Sequence, residues 1–285
     1  MSDRGSAIKK QIWITVVFAC LLTSRVPGLS QIKPEEIAQR EAWEDFLLTA
    51  DIVKSEPIGE GVTAPQKLYL KKGDIEKKAA WKNPDGKPDG VSDNWKYEIA
   101  AYRLDKLIGL NAVPPVVERE FQGKKGCLSL WAESKTSLLK MMEAGESFPE
   151  EVLERTDKMK YIARLWDCLI ANADRTQQNI LFTDDWRTIL FDHSRAFQSA
   201  RKFVRQLVFG ANGIFKFEDG RPMLFRRVPR ALVEKIKSLN AAVLKQAVGP
   251  YLTDKEIEGV VSRIPLIMKE IEDMIKQNGE NSVLY

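Results

Sequence analysis

Residues 172 to 197 carry most of the side chains in this sequence that are suited to chemistry. In the stretch NADRTQQNILFTDDWRTILFDHSRAF, two apolar runs flank Asp184 and Asp185, a pattern that predicts a short β-hairpin. A turn centred between positions 185 and 186 would place Asn179 directly opposite Asp192. An amide oxygen and a carboxylate at the open end of a hairpin are the kind of ligands that a hard divalent cation needs.

Asp174 lies five residues before Asn179, where a predicted helix ends. The spacing Asp-x-x-x-x-Asn, followed by a hairpin and a further Asp, is that of the catalytic loop and the metal-binding aspartate in the kinase pattern. In this interpretation Asp174 is the catalytic base, and Asn179 and Asp192 are the metal ligands. Surface hairpins are often edged by Asp and Asn, so a solvated turn is the alternative that this stretch alone leaves open.

The first half of the chain supplies the remaining positions of the same pattern. The segment AAWK ends a predicted strand as VAIK does in kinases, so we expect Lys82 to reach ATP phosphates and Glu98 to pair with it. Upstream, IGEGVT places Gly59 and Gly61 in a turn where the backbone can approach phosphate. Each feature taken alone is common on protein surfaces. Together they occur in the order that kinase geometry requires, and this conjunction is more specific than any single member.

Two kinds of periodicity predict the elements that must position these residues. The first half reads as two strand-rich segments around one helix, NWKYEIAAYRLDKLIG, which should end at Gly109. The second half reads as helical, beginning with a buried stripe in DKMKYIARLWDCLIANADR. Two further helices are predicted after Pro229, the second of them starting after Thr253.

This order of elements predicts an α+β protein with a bilobal, protein-kinase-like fold. We expect a small strand-rich N-lobe with one helix at residues 56–133 and a mainly helical C-lobe at residues 134–285. A helical extension should precede them at residues 31–55. Of the 285 residues, 44% are apolar, which is enough to fill a core of this size.

Charge and cysteine usage exclude several classes of protein. The formal net charge of +4 is small for this length and predicts no nucleic acid partner. Three scattered cysteines do not make a disulfide framework or a CxxC metal site.

Residues 1–30 differ from the rest, because three basic residues precede the apolar run IWITVVFACLLTS. They predict a signal peptide or a membrane anchor and therefore an extracytoplasmic location, with membrane association through this segment if it is retained.

The segment YEIAAYRLDKLIGLNAVPPVVER resembles the atypical secretory-pathway kinases, the family that contains the Golgi casein kinase, xylosylkinase and four-jointed. NADRTQQNIL is similar to the catalytic loop of phosphoinositide kinases and, more distantly, of HipA-type kinases. The resemblance covers roughly residues 57–197. It implies a bilobal kinase with ATP between the lobes, Lys82 and Glu98 as the phosphate-orienting pair, Asp174 as the base and Asp192 on the metal.

The sequence departs from these families at several positions. No His stands beside Asp174, and the aspartate motif is DHS where most kinases have DFG. The disulfides of the secretory family are missing, and the Golgi casein kinase group tends to have an acidic residue at the position of Asn179. His193 in the DHS motif is either a residue that supports the metal site or an ordinary polar residue at the start of a loop.

The function expected from these features is that of an exported atypical kinase, which uses ATP and Mg²⁺ or Mn²⁺ to phosphorylate a hydroxyl of a protein, glycan or lipid. Two alternatives remain, a pseudokinase that binds nucleotide without turnover and an enzyme that transfers AMP. A basic segment follows Asp192, and it either binds an acidic substrate or forms a solvated face. Its residues are Arg195, Arg201, Lys202, Arg205, Arg226, Arg227 and Arg230.

Overall fold

The computed structural model of the protein describes residues 32–59 and 65–285. The predicted signal peptide or anchor and Gly61 lie outside the described residues. The strands are β1 Asp51–Pro57, β2 Gln66–Lys72, β3 Ile75–Lys82, β4 Asp85–Gly86, β5 Asp93–Asn94, β6 Val116–Phe121, β7 Lys124–Leu130, β8 Thr136–Ser137, β9 Ile180–Phe182 and β10 Thr188–Leu190. The α-helices are α1 Pro34–Ala38, α2 Arg40–Thr49, α3 Trp95–Ile108, α4 Leu138–Ala144, α5 Leu153–Ile170, α6 Arg201–Arg205, α7 Arg230–Lys237, α8 Ala241–Val248, α9 Asp254–Asn278 and α10 Glu280–Val283.

An antiparallel sheet of five strands, in the order β1-β2-β3-β7-β6, forms the smaller lobe. One of its faces packs on α2 through a core that contains Phe46, Leu68 and Trp81. Gly126 in β7 allows the close approach of β3, because a Cβ there would lie 2.7 Å from a backbone oxygen of that strand. This packing fixes the end of β3, where Lys82 stands.

Helix α3 is held at both ends by local signals in the sequence. The Asn94 side chain accepts a hydrogen bond from the Lys96 amide at 2.9 Å, which caps the first turn. Gly109 ends the helix in the left-handed region at φ 71°, where glycine has no Cβ to clash. Asp105, fully buried on α3, accepts from the Arg40 guanidinium at 3.0 Å and from the Ala112 amide at 2.8 Å. These contacts join α3 to α2 and to the segment that leads into β6.

The larger lobe is mainly helical, and its core does not stop at the boundary between the lobes. One apolar cluster runs from α3 through α5 to α9, with Ile99, Trp166 and Ile267 among its fully buried members. Helix α9 begins at a capping box formed by Thr253 and Glu256. Because α3 belongs to this cluster, the helix that carries Glu98 is fixed by the C-lobe as well as by the sheet.

The α+β, bilobal prediction is confirmed, with differences in detail. The sheet starts at Asp51, and the N-terminal helical segment is split into α1 and α2 at Gln39. Three helices longer than one turn follow Pro229, where two were predicted, because Asn240 caps a separate helix α8. Among the described residues, no helix is both long enough and apolar enough to cross a membrane.

Candidate active site

Lys82 and Glu98 form a buried ion pair between β3 and α3. The Lys82 Nζ also contacts the Asp192 carboxylate at 2.8 Å. Burial lowers the pKa of Lys82, but the carboxylates of Asp192 and Glu98 outweigh it and hold the pKa above its ordinary value. Burial acts against the ionised form of Glu98 as well, and Lys82 reverses this, so that the pKa of Glu98 is lowered. The lysine is therefore charged and is shared by one carboxylate from each lobe.

The loop between α5 and β9 presents Asp174 at the same place. Ala171 ends α5 in the left-handed region, and the Asn172 carboxamide oxygen then accepts from the Asp174 amide at 3.1 Å. The Asn179 Nδ2 donates to the Asp174 carbonyl oxygen at 3.2 Å and closes the loop. The Asp174 carboxylate itself is 41% exposed and is therefore accessible to a ligand from solvent.

Arg195 connects the Asp174 carboxylate to the start of α3. Its guanidinium lies 3.7 Å from the Asp174 carboxylate and 3.3 Å from that of Asp93, which is buried in β5. Burial raises the pKa of Asp174 above its ordinary value, Arg195 opposes this rise, and the carboxylates of Asp192 and Asp93 add to it. The candidate base is thus tuned by three charged neighbours.

The predicted register of the β9–β10 hairpin is wrong by one residue. Ile180 pairs with Leu190 and Phe182 with Thr188, so Asn179 lies opposite Phe191 and not opposite Asp192. The cause is a loop of five residues, because the Trp186 amide donates to the Thr183 carbonyl oxygen and Trp186 takes a positive φ of 59°. A loop of odd length shifts every pair by one position.

Asp192 leaves the strand at φ 59°, in the left-handed region that Asp and Asn enter more readily than most other residues. Its carboxylate is 37% exposed. The side chain of Asn179 donates through its Nδ2, and its Oδ1 accepts no hydrogen bond from any described residue. One exposed carboxylate and one amide oxygen fit Mg²⁺ or Mn²⁺, ions that commonly combine one or two protein carboxylates with phosphate oxygens and water. Within the described residues there is no cluster of three His, Cys, Asp or Glu side chains suited to a metal ion.

Arg175 has a buried side chain that joins α5 to both sides of the hairpin, and it was not predicted from the sequence as a site residue. It pairs with the fully buried Asp167 of α5 at 3.0 Å and donates to the carbonyl oxygens of Asn179 and Phe191, at 3.1 and 2.7 Å. It also reaches the Nε2 of His193 at 2.9 Å. The signal was present in the sequence, since Asp167 is an acidic residue beside the apolar stripe of α5, and such a residue needs a buried partner.

Of the other predicted positions that the structure describes, Gly59 and the basic residues beyond Arg195 form no hydrogen bond or ion pair with Lys82, Glu98, Asp174 or Asp192. Gly59 lies exposed in the β1–β2 connection, and no atom of the described residues apart from its chain neighbours lies within 4 Å of a Cβ placed there. Arg201, Lys202 and Arg205 are exposed on α6, and none of the three forms an ion pair with a described residue. Of the more distant basic residues, Arg230 pairs with Glu280 near the C-terminus.

Solved structures show which fold this arrangement belongs to. Hydra Fam20, determined with sugar, superposes with a TM-score of 0.60 at 16% identity, covering 91% of this chain and 95% of that one. The chain has an atypical kinase fold. The Golgi casein kinase gives a TM-score of 0.59 at 14% identity over 90% of this chain and 79% of its own. The proinflammatory kinase CtkA of Helicobacter pylori gives 0.52 at 13%, over 82% and 96%.

The sequence itself carries no comparable match. No protein-family model matches the chain, and no curated protein matches it. The kinase fold is therefore established by three-dimensional similarity, while the roles of individual residues depend on the geometry of the site.

Proposed function

We propose that the protein is an ATP-dependent phosphotransferase that acts on a hydroxyl group. The observation that carries the proposal is the convergence of Lys82 on Glu98 and Asp192, with the exposed carboxylate of Asp174 nearby. In protein kinases a strand lysine paired with a helix glutamate contacts the phosphates of a nucleoside triphosphate, and a separate aspartate holds the metal. The kinase fold supports the same reaction.

Each residue has a defined part in this proposal. Lys82, oriented by Glu98, donates to phosphate oxygens of ATP. Asp174 orients the acceptor hydroxyl and takes its proton as the new O–P bond forms and the bond from the γ-phosphorus to ADP breaks. Asp192 and Asn179 would hold Mg²⁺ or Mn²⁺, which when bound neutralises charge on the phosphate oxygens.

Proteins and glycans are both candidate acceptors of the phosphoryl group. One structural neighbour was determined with sugar, and another is named a casein kinase. Labelled phosphate transfer should therefore be assayed on protein and glycan fractions together, with a lipid fraction as the third. Mass analysis of the product then separates transfer of phosphate from transfer of AMP.

Two variants distinguish the binding of ATP from the transfer of its phosphoryl group. Asp192→Asn keeps the backbone conformation at positive φ and removes the anionic ligand, so we expect metal-dependent ATP binding to be lost. Asp174→Asn should bind ATP almost unchanged and lower transfer by roughly 10² to 10⁴-fold, the range for loss of a general base. Calorimetry with ATP and Mg²⁺ or Mn²⁺ measures the first effect, and labelled transfer measures the second.

Asp184→Asn is the matched control, because Asp184 lies exposed in the turn of the same hairpin and loses the same charge. It should leave both measurements unchanged. Unaltered metal-dependent binding in Asp192→Asn would contradict the proposed site. Binding without transfer in the unmutated protein would assign the chain to the nucleotide-binding pseudokinases.

Export is part of the same proposal. The apolar run in residues 1–30 supports it, and one structural neighbour is a Golgi kinase. Cell fractionation together with N-terminal sequencing of the mature protein tests it, and a soluble cytoplasmic protein that keeps Met1 would contradict it.

A further inference from the structure

His193 occupies the centre of the site without contacting solvent. Its side chain is fully buried, directly after Asp192 and between the two lobes. Its Nε2 lies 3.2 Å from the indole Nε1 of Trp166 and 2.9 Å from a guanidinium nitrogen of Arg175. Its Nδ1 faces the Oε2 of Glu98 at 3.7 Å and has no hydrogen-bond partner among the described residues.

The two donors decide which ring nitrogen of His193 carries the hydrogen. The indole N–H of Trp166 and the guanidinium of Arg175 can only donate. The Nε2 must therefore be the ring nitrogen without a hydrogen, with its single lone pair facing both donors, which places the hydrogen on Nδ1. A buried N–H group is normally paired with an acceptor, and the Oε2 of Glu98 faces this nitrogen at 3.7 Å.

The same contacts form a path through the site that is interrupted by the 3.7 Å gap between the Nδ1 of His193 and the Oε2 of Glu98. Asp167 holds Arg175, and Arg175 donates to His193 and to the carbonyl oxygens at the open end of the hairpin. From His193 the path crosses to Glu98 and Lys82. One imidazole ring therefore lies between the catalytic loop and the carboxylate that pairs with Lys82.

We propose that His193 is a positioning residue for Glu98: as the Nδ1–H tautomer, it gives that carboxylate a second donor and keeps it in place while Lys82 turns to the phosphates. The role in nucleotide binding rests on the proposed function, whereas the tautomer and the coupling to Glu98 do not. The ring lies between Trp166 and Glu98 of α3 and is fully buried.

The tautomer is directly observable because His193 is the only histidine in the 285 residues. Two-bond ¹H–¹⁵N correlation spectra of the uniformly labelled protein contain a single imidazole. We expect the pattern of a neutral ring protonated at Nδ1, with no rapid averaging between the nitrogens. A ring protonated at Nε2, or an averaged pattern, would overturn the proposal.

Two amide variants separate the two sides of the ring. The Nδ2 of an asparagine takes the place of Nδ1, so His193→Asn keeps a donor for Glu98 and loses the acceptor for Trp166 and Arg175. The Oε1 of a glutamine takes the place of Nε2, so His193→Gln keeps the acceptor and loses the donor. We expect the affinity for ATP with Mg²⁺ to fall about tenfold in His193→Gln and to be largely retained in His193→Asn. The opposite order would overturn the proposal.

A double-mutant cycle measured without nucleotide tests the link between His193 and Glu98 independently of the proposed function. His193→Gln and Glu98→Gln, alone and combined, are compared by urea unfolding, and their effects on the unfolding equilibrium constant should be non-additive by about tenfold. Additive effects would contradict the positioning role. If the unmutated protein binds no nucleotide while the cycle is non-additive, the proposed function fails and the link from His193 to Glu98 stands.

Discussion

Replacing Lys82 with Met tests whether the ion pair at the centre of the site is truly desolvated. Methionine keeps the apolar stem of the side chain and removes the charge. The Lys82 side chain is 13% exposed and that of Glu98 is 4% exposed, so the change leaves a buried carboxylate without its cation. Breaking a buried pair in this way typically costs about 3–5 kcal/mol in the free energy of unfolding. We expect a value near the lower end, because Asp192 at 37% exposure can turn to water.

A second substitution, Glu98→Gln, shows how much of this loss in the free energy of unfolding comes from the ion pair itself. In Glu98→Gln the carboxylate is already gone, so adding Lys82→Met should cost only about 1 kcal/mol and give a coupling energy of about 2–3 kcal/mol. Lys71→Met on the neighbouring strand β2 is the matched control, since Lys71 is 51% exposed and pairs with the exposed Glu76. Its cost should stay below about 1 kcal/mol.

Urea unfolding at fixed pH and salt measures these differences, provided that the slopes of the four variants agree. A loss below about 1 kcal/mol in Lys82→Met, or additive effects of the two substitutions, would refute the argument. In that case the pair would be solvated, and it would not hold a lysine in position for phosphate.

Three further outcomes are expected. Asp105→Ala should lower the free energy of unfolding by about 3–5 kcal/mol, because Arg40 is then buried without its anion. Chemical denaturation measures this loss, and a loss below about 1 kcal/mol, as for an exposed ion pair, would contradict it. Arg195→Ala should move the acidic limb of the pH–rate profile to higher pH. Asp174 must be ionised to act as a base, and Arg195 lowers the pKa of Asp174, so the loss of Arg195 raises that pKa. An acidic limb that does not move would contradict this. Gly126→Ala should cost about 1–3 kcal/mol through its clash with the paired strand, and an unchanged melting temperature would argue against the close approach.

Local signals made the elements of the fold predictable. Helix α3 begins after Asn94 and ends before Gly109, where the capping residues of the sequence place it. Helix α9 begins after Thr253 for the same reason. The pairing of Lys82 with Glu98 was also expected, because AAWK ends a strand as VAIK does in kinases and Glu98 lies on the helix that follows.

Contacts between distant parts of the chain were harder to predict. The hairpin register depended on a hydrogen bond inside the turn at Thr183 and on the positive φ of Trp186, and neither follows from the apolar pattern. Arg175 and His193 reach their positions through partners on α5 and α3, across 8 to 95 positions of sequence. A single sequence contains the residue types of such a network but not the distances between them.

One buried thiol lies in each lobe of the described chain. Cys127 stands in β7, with its Sγ 3.4 Å from the Lys82 carbonyl oxygen, and Cys168 stands in α5, with its Sγ 3.3 Å from the Phe209 carbonyl oxygen. Burial raises the pKa of both thiols, so neither reacts with an alkylating reagent while its lobe is closed.

These two cysteines therefore act as separate reporters of opening. In a Cys20→Ser background, the alkylation rate at Cys127 measures how often the sheet opens, and the rate at Cys168 measures how often α5 is released. Cys127 and Cys168 both belong to the apolar cluster that runs from α3 to α9, so we expect nearly equal rates at the two thiols. Faster labelling of Cys127 alone would mean that the sheet unfolds while the helical lobe stays intact.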